Sequence, residues 1–413
     1  MEMNEYSEHT LPNGIRLAHR QVTHTKIVHC GIMLDIGSRD EKPHQVGLAH
    51  FWEHMAFKGT KKRKSYHIIN KLEVVGGELN AYTTKEKICF YASVLDNHFD
   101  KAIDILSDIT FHSIFPERQI EKERGVILEE MSMYLDSPED SIQDELDSVI
   151  FPNHTLGNNI LGTKETIQSF TQTDLKNFVQ ENLNTDKIIV SVVGNISFKK
   201  AIRLVEKHLK DIPAINNESI RTKPSDYKSQ SLSLEKPINQ AHVALGIPSY
   251  SLHNKNRFAY FTLIHLLGGS GMNSRLNASL REKHGLVYGI DANYTAFTDS
   301  GYTSIFYATE PKNLKKANQL VFKEINQLKT KSLGSLQLKN LKEQLMGQLA
   351  MSDESNQSFM LMMAKSLLDL NKVNTLEEVF SKIKIIEASD LRDLALEALP
   401  QQDFSNLTYM ATY

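Results

Sequence analysis

Two short segments of this chain recur at almost one spacing, and that recurrence limits the folds open to it. Phe90-Tyr91-Ala92-Ser93 is echoed by Phe306-Tyr307-Ala308-Thr309, each after a strand-like run and before a helical one. Leu128-Glu129-Glu130-Met131 is echoed by Lys342-Glu343-Gln344-Leu345. The offsets are 216 and 214 residues. Two matches at one spacing point to a duplicated α+β unit, with chance likeness between helices as the alternative. The 413-residue length is too great for one ordinary core and suits two domains of roughly 200 residues each.

Local patterns fill in the units. Asn13-Gly14 marks a hairpin turn ahead of Ile15-Arg16-Leu17-Ala18. Strand-like runs follow at 27–36, 79–83, 88–95 and 188–193, and helical patterns at 46–58, 66–75, from Phe99, from Pro116 and at 199–209. Residues 212–232 are polar and turn-rich, and are expected to form an interdomain linker between domains at 1–211 and 233–413.

Composition removes several function classes. A net charge of −3 gives no general attraction to nucleic acid or anionic lipid. No stretch of ~18 apolar residues predicts a membrane span. Lys58, Lys61, Lys62, Arg63 and Lys64 lack interleaved aromatics and are expected to be a solvated loop, not a nucleic-acid site. Met1-Glu2-Met3-Asn4-Glu5 lacks the basic and apolar regions of a signal peptide. Cys30 and Cys89 lie in apolar runs and are expected to be small buried hydrophobes, not a disulfide. The location predicted from these features is cytoplasmic.

Chemistry is concentrated in His50-Phe51-Trp52-Glu53-His54. On a helix, positions i, i+3 and i+4 share a face. Two imidazoles so spaced reach one metal, and the carboxylate between them is placed to hold a water and take its proton. This inverted order is a known form of the zinc-protease helix. A helix with two incidental histidines would carry the same pattern, so a third ligand is needed. Trp52, the only tryptophan, points off this face toward a core.

The helical pattern after Pro116 offers that ligand. At ~100° per residue, Ile120, Glu123, Ile127, Glu130 and Tyr134 fall on one arc. Carboxylates on an apolar stripe need compensation, and a metal supplies it. Glu129 lies off the arc, so Glu130 is the better ligand candidate, and Glu123 is placed to orient a ligand histidine. A salt-bridged stripe is the alternative. The second half has no His-x-x-Glu-His, and Gln344 stands where Glu130 stands.

The segment from His50 to Thr60 resembles the metal helix of the pitrilysin/insulinase (M16) metallopeptidases, in the short, bacterial processing-protease-like form. That family's third ligand is a glutamate about 76 residues past the second histidine, and Glu130 lies 76 past His54. Glu123 matches its second acidic position. Gly76-Gly77-Glu78-Leu79-Asn80-Ala81-Tyr82-Thr83 resembles its edge strand, Leu161 to Ile167 also fits, and Arg281 to Tyr288 matches its Arg-x-x-x-x-Gly-x-Tyr.

The resemblance implies two homologous α+β domains, each a mostly antiparallel sheet with helices packed on it, joined by a linker into a clam-shell. It implies one Zn2+ per chain, held by His50, His54 and Glu130, with Glu53 as general base on a zinc-bound water. An unfolded peptide would add to the edge strand near Gly77, Asn80 and Ala81. Arg281 and Tyr288 would donate hydrogen bonds to the substrate or to developing negative charge. Since both the metal motif and the Arg/Tyr pair are present, a homodimer of active chains is the assembly expected. A non-catalytic peptide-binding subunit, or a peptidase that needs a different partner chain, are the alternatives. Manganese or cobalt would also suit the ligand set.

Overall fold

A computed structural model describes residues 6–218 and 220–412. The chain forms two compact units that are not consecutive halves. The first comprises Met1–Met131, Asn158–Arg221 and Met351–Thr375; the second comprises Ser132–Gly157, Thr222–Ala350 and Leu376–Tyr413.

The first unit is built on strands β1 (Ser7–Thr10), β2 (Arg16–Gln21), β3 (Ile27–Leu34), β4 (Glu78–Thr83), β5 (Ile88–Leu95) and β6 (Ile188–Gly194). They form one sheet in the order β1-β2-β6-β3-β5-β4. Every neighbouring pair is antiparallel except β2 with β6. The β-branched run of β6 is buried along its whole length, as a central strand covered on both faces must be. The helices α1 (Leu48–Ala56), α2 (Ser65–Glu73), α3 (Phe99–Phe111), α4 (Glu117–Asp136) and α5 (Pro138–Ile150) follow in chain order. Of these, α1 and α3 pack with Trp52, Phe51 and Phe99 into the core on one face. Cys30 and Cys89 are free and buried, as small apolar residues.

The second unit repeats this plan. Its strands are β7 (Ser231–Lys236), β8 (Ala241–Pro248), β9 (Val287–Ala296), β10 (Gly301–Thr309) and β11 (Ser405–Ala411). Their order is β7-β11-β8-β10-β9, and only β7 with β11 is parallel. The repeated four-residue segments lie on β5 and β10, at equivalent places in the two sheets. The duplication is therefore one of topology as well as of sequence.

The two copies exchange a helix. In the first unit, Phe359, Met360, Met363 and Leu367 of the helix Asn356–Leu370 pack on Ala18, Met33, Ile189 and Val193. The Ser191 hydroxyl donates to the Met360 carbonyl at 2.8 Å. In the second unit, Ile142, Leu146, Val149 and Ile150 of α5 pack on Ala244, Leu407 and Tyr409. A sheet that is apolar on both faces must be covered twice, and each sheet's second cover comes from the other half of the sequence. A cut at 211 and 233 does not describe these units.

Residues 212–232 also differ from a free linker. The Arg221 guanidinium donates to Asp35 Oδ1 at 2.9 Å and to both Asp40 oxygens at 2.8 Å. Lys87, itself buried, pairs with Asp35 at 2.8 Å and with Asp369 of the exchanged helix at 2.7 Å. The segment is thus divided: its first part, ending at Arg221, is tied to the first unit by a buried ion network, and from Thr222 it belongs to the second, where its last two residues begin β7.

Candidate metal centre

The metal-motif helix needs a special start. Gly47, just ahead of α1, has φ +97°, and a Cβ there would lie 2.7 Å from the Gly162 Cα. Only glycine meets both conditions easily. It brings no capping side chain, and Glu41 supplies the missing acceptor. The Glu41 carboxylate accepts from the Gly47 N–H at 2.9 Å and the Ala49 N–H at 2.7 Å. Burial pushes this carboxyl up to about 8, against the pull of those two donors.

One turn on, the two histidine rings meet edge to face with centroids 4.6 Å apart. His50 Nε2 lies 3.8 Å from Glu130 Oε1, and His54 Nε2 lies 3.3 Å from Glu130 Oε2. One donor atom from each residue falls within 4.8 Å of the other two, the one such group among the described residues. Bonds of ~2.0–2.1 Å in a tetrahedron set neighbouring donors about 3.4 Å apart, near the two His–Glu130 separations, so small side-chain adjustments would let the set hold zinc. The arc on α4 is real: Ile120, Glu123 and Ile127 are buried and Glu130 is half-buried, while Glu129 is exposed. Tyr134 departs from it and is exposed.

His54 Nδ1 lies 3.3 Å from Glu123 Oε2. A ring that donates from Nδ1 presents its Nε2 lone pair to a metal. The other Glu123 oxygen meets Lys58 Nζ at 2.7 Å. The basic stretch is therefore not simply a solvated loop: Lys58 is tied to this centre, and Arg63 is tied to Asp104 and Asp108. Carboxylates drew both cations inward, which a charge run read along the chain does not reveal.

The charges of this cluster are set by burial and by mutual hydrogen bonds. Burial, helped by the His54 charge, lowers His50 to about 4, so its imidazole is neutral at neutral pH. Burial opposes charging His54, but its bonds to Glu123 and Glu130 outweigh that and raise it to about 9. Hydrogen bonding to His54 lowers Glu130 below the usual range, and Glu123 is lowered because His54 and Lys58 outweigh its burial. A proton on His54 thus stands where a divalent ion would satisfy the same carboxylates.

Glu53 lies on the same face of α1. Burial raises its pKa, and a short bond opposes this: the Thr83 hydroxyl donates to Glu53 Oε2 at 2.5 Å. Sequence reasoning missed Thr83 as a partner of Glu53. Its place at the end of the Gly76–Thr83 motif was the available clue. Thr83 ends β4, the outer strand of the sheet, which pairs on one side with β5. Asn80 is exposed and Ala81 half-buried on this edge. Gly77 is buried, and a Cβ there would lie 2.7 Å from Val94 Cγ1. Close packing inside the unit occupies that space, which is therefore not open to a substrate backbone.

In the second unit, Gly285 has φ +59° and ends the helical turn Asn277–Lys283, with its N–H donating to the Arg281 carbonyl at 3.0 Å. The Arg281 guanidinium lies 5.4 Å from the Tyr288 ring centroid. Tyr288 is 89% exposed, not the half-buried strand residue that packing alone would give. Gln344, the counterpart of Glu130, bonds to Asn273 at 2.9 Å.

These features agree with the comparisons. The family model described as Insulinase (Peptidase family M16) matches residues 16–164, and the Peptidase M16 inactive domain matches 169–345. The chain belongs to the M16 peptidase family. Among its M16 relatives, the uncharacterized zinc protease YmxG of Bacillus subtilis is 35% identical over 387 residues, covering 94% of both chains. An uncharacterized zinc protease of Rickettsia felis is 31% identical over 404 residues, covering 97% of this chain and 95% of that one. The crystal structure of a protease from Helicobacter pylori shares the fold, with a TM-score of 0.91 and 21% identity over 99% of this chain and 100% of that chain.

Proposed function

We propose that this chain is a zinc-dependent endopeptidase acting on short, unfolded or presequence-like peptides. The observation that carries the reading is the convergence of His50, His54 and Glu130 donor atoms beside Glu53. His50, His54 and Glu130 would hold one zinc per chain. Zinc, when bound, supplies Lewis-acid polarisation of the peptide carbonyl. Glu53 takes a proton from the attacking water and returns it to the leaving amine. Thr83 holds one Glu53 oxygen in place for this work.

The exposed edge of β4 near Asn80 and Ala81 receives an extended peptide by strand addition, which depends on backbone groups more than on side chains. Arg281 and the exposed Tyr288 serve as hydrogen-bond donors to the substrate, on the strength of the family motif and the Tyr288 exposure. Among the described residues no helix is long and apolar enough to cross a membrane. Free, buried Cys30 and Cys89 favour a reducing, cytoplasmic setting, and a homodimer of complete chains is the proposed assembly.

Cleavage of a mixed peptide library by the purified chain tests the reading, with and without chelator and beside Glu53→Gln. Cleavage that stops with chelator and with Glu53→Gln is expected. Equal cleavage by the variant removes Glu53 from its role.

A further inference from the structure

The centre contains a cation that the proposed chemistry does not use. Lys58 follows the end of α1, one turn past His54, and its N–H donates to the Met55 carbonyl at 3.1 Å. A lysine at a helix C-terminus is ordinarily explained by the helix dipole and points to water. Here the side chain crosses to α4 and meets Glu123 Oε1 at 2.7 Å. The Glu123 side chain is only 7% exposed, and its two oxygens are divided between Lys58 and His54. A buried carboxylate with two bonds at opposite oxygens has one rotamer. With one bond it can swing, and His54 loses its fixed partner.

We propose that Lys58 is a positioning residue for the metal centre, which fixes the Glu123 carboxylate so that Glu123 fixes the His54 ring. The Lys58 ammonium pairs with Glu123 and not with His50 or Glu130, so it acts through Glu123. The proposal rests on the zinc reading above and deepens it. It assigns metal affinity, not only fold stability, to a residue that sequence pattern places on a solvated loop.

The test uses zinc dissociation constants, measured by competition with a chromophoric chelator on the full chain. The proteins are the native chain, Lys58→Met, Lys58→Arg, Glu123→Gln and the double variant Lys58→Met/Glu123→Gln. Outer ligand partners are worth about 10–100-fold in metal affinity. Lys58→Met is expected at the low end, about tenfold weaker, with Glu123→Gln at or beyond it. Lys58→Arg, which keeps the charge and the donors, is expected within about threefold of native. The double variant is expected to bind no more weakly than Glu123→Gln alone, because the two residues act in series.

Native affinity in Lys58→Met overturns the proposal, as do losses that multiply in the double variant. A role in stability alone would shift the melting temperature of the metal-free chain without that coupling. If Lys58→Met does not fold, Lys58→Gln takes its place, and failure of both beside a folded Lys58→Arg assigns Lys58 to structure and overturns the proposal. A native chain that binds neither zinc nor cobalt overturns the zinc reading itself, and this proposal with it.

Discussion

Replacing Thr83 with valine isolates one interaction of the proposed base. Valine keeps the shape of threonine and removes only the hydroxyl that donates to Glu53 at 2.5 Å. No large cavity forms, so core loss contributes little. A hydrogen bond to a charged group contributes roughly 1.5–3 kcal/mol. That bond holds the carboxylate in one position, and a misplacement of about 1 Å can cost about 100-fold, so kcat/KM at neutral pH should fall about 10–100-fold.

The sign of the pH effect follows from the same bond. Burial already raises Glu53, and the Thr83 hydroxyl opposes that by stabilising the carboxylate. Its loss raises the Glu53 pKa further, so the acidic limb of the kcat/KM profile should move to higher pH. Thr83→Ser keeps the hydroxyl and should stay within about threefold of the native rate. Zinc affinity should be unchanged, since the hydrogen bond of Thr83 goes to Glu53 and not to a ligand. The assay is the pH dependence of cleavage of one fluorogenic peptide, beside a zinc titration of each variant. An unmoved acidic limb in Thr83→Val refutes the reasoning. Zinc affinity falling in step with the rate would refute it too, as damage to the site as a whole.

Two further outcomes follow from the ionic groups. With His54 raised to about 9 in the metal-free centre, zinc must displace its proton. Calorimetry at pH 7 in buffers of different ionisation heat should detect about one proton released per zinc, and log affinity should rise by about one per pH unit until about pH 9. No proton release would show that His54 is neutral before metal arrives. Arg221→Met should destabilise the chain by roughly 1.5–3 kcal/mol near neutral pH, read by urea or thermal unfolding, because it removes the charged hydrogen bonds that the guanidinium gives Asp35 and Asp40, while Lys87 still pairs with Asp35. Burial opposes it, but Arg221 and Lys87 hold Asp35 below its usual range, so the Asp35 part of that stability is present above about pH 4 and fades as pH falls through the folded value. A difference between native and variant that stays constant into acid would count against this network.

Residue spacing alone determined a good deal here. The four-residue step between His50 and His54, the arc of Glu123 and Glu130 on α4, and the β-branched run of β6 are regularities of one helix or one strand. Each is set by periods of two or 3.6 residues and survives in any tertiary setting. The repeat at 214–216 residues predicted two copies of one sheet, and β5 and β10 occupy equivalent places. Tertiary structure decided matters in which two distant segments had to choose each other. The apolar stripe of α5 (Ile142, Leu146, Val149 and Ile150) would suit either sheet, and packing put it on β8 and β11. Lys58 looked like a solvated charge, and Arg221 lay within an expected linker, because the carboxylates that hold them lie 65 or more residues away in the chain. Gly77 looked like an opening for substrate until Val94 filled the space beside it. Short-range periodicity fixes which face of an element is apolar or charged, whereas long-range packing fixes what that face meets.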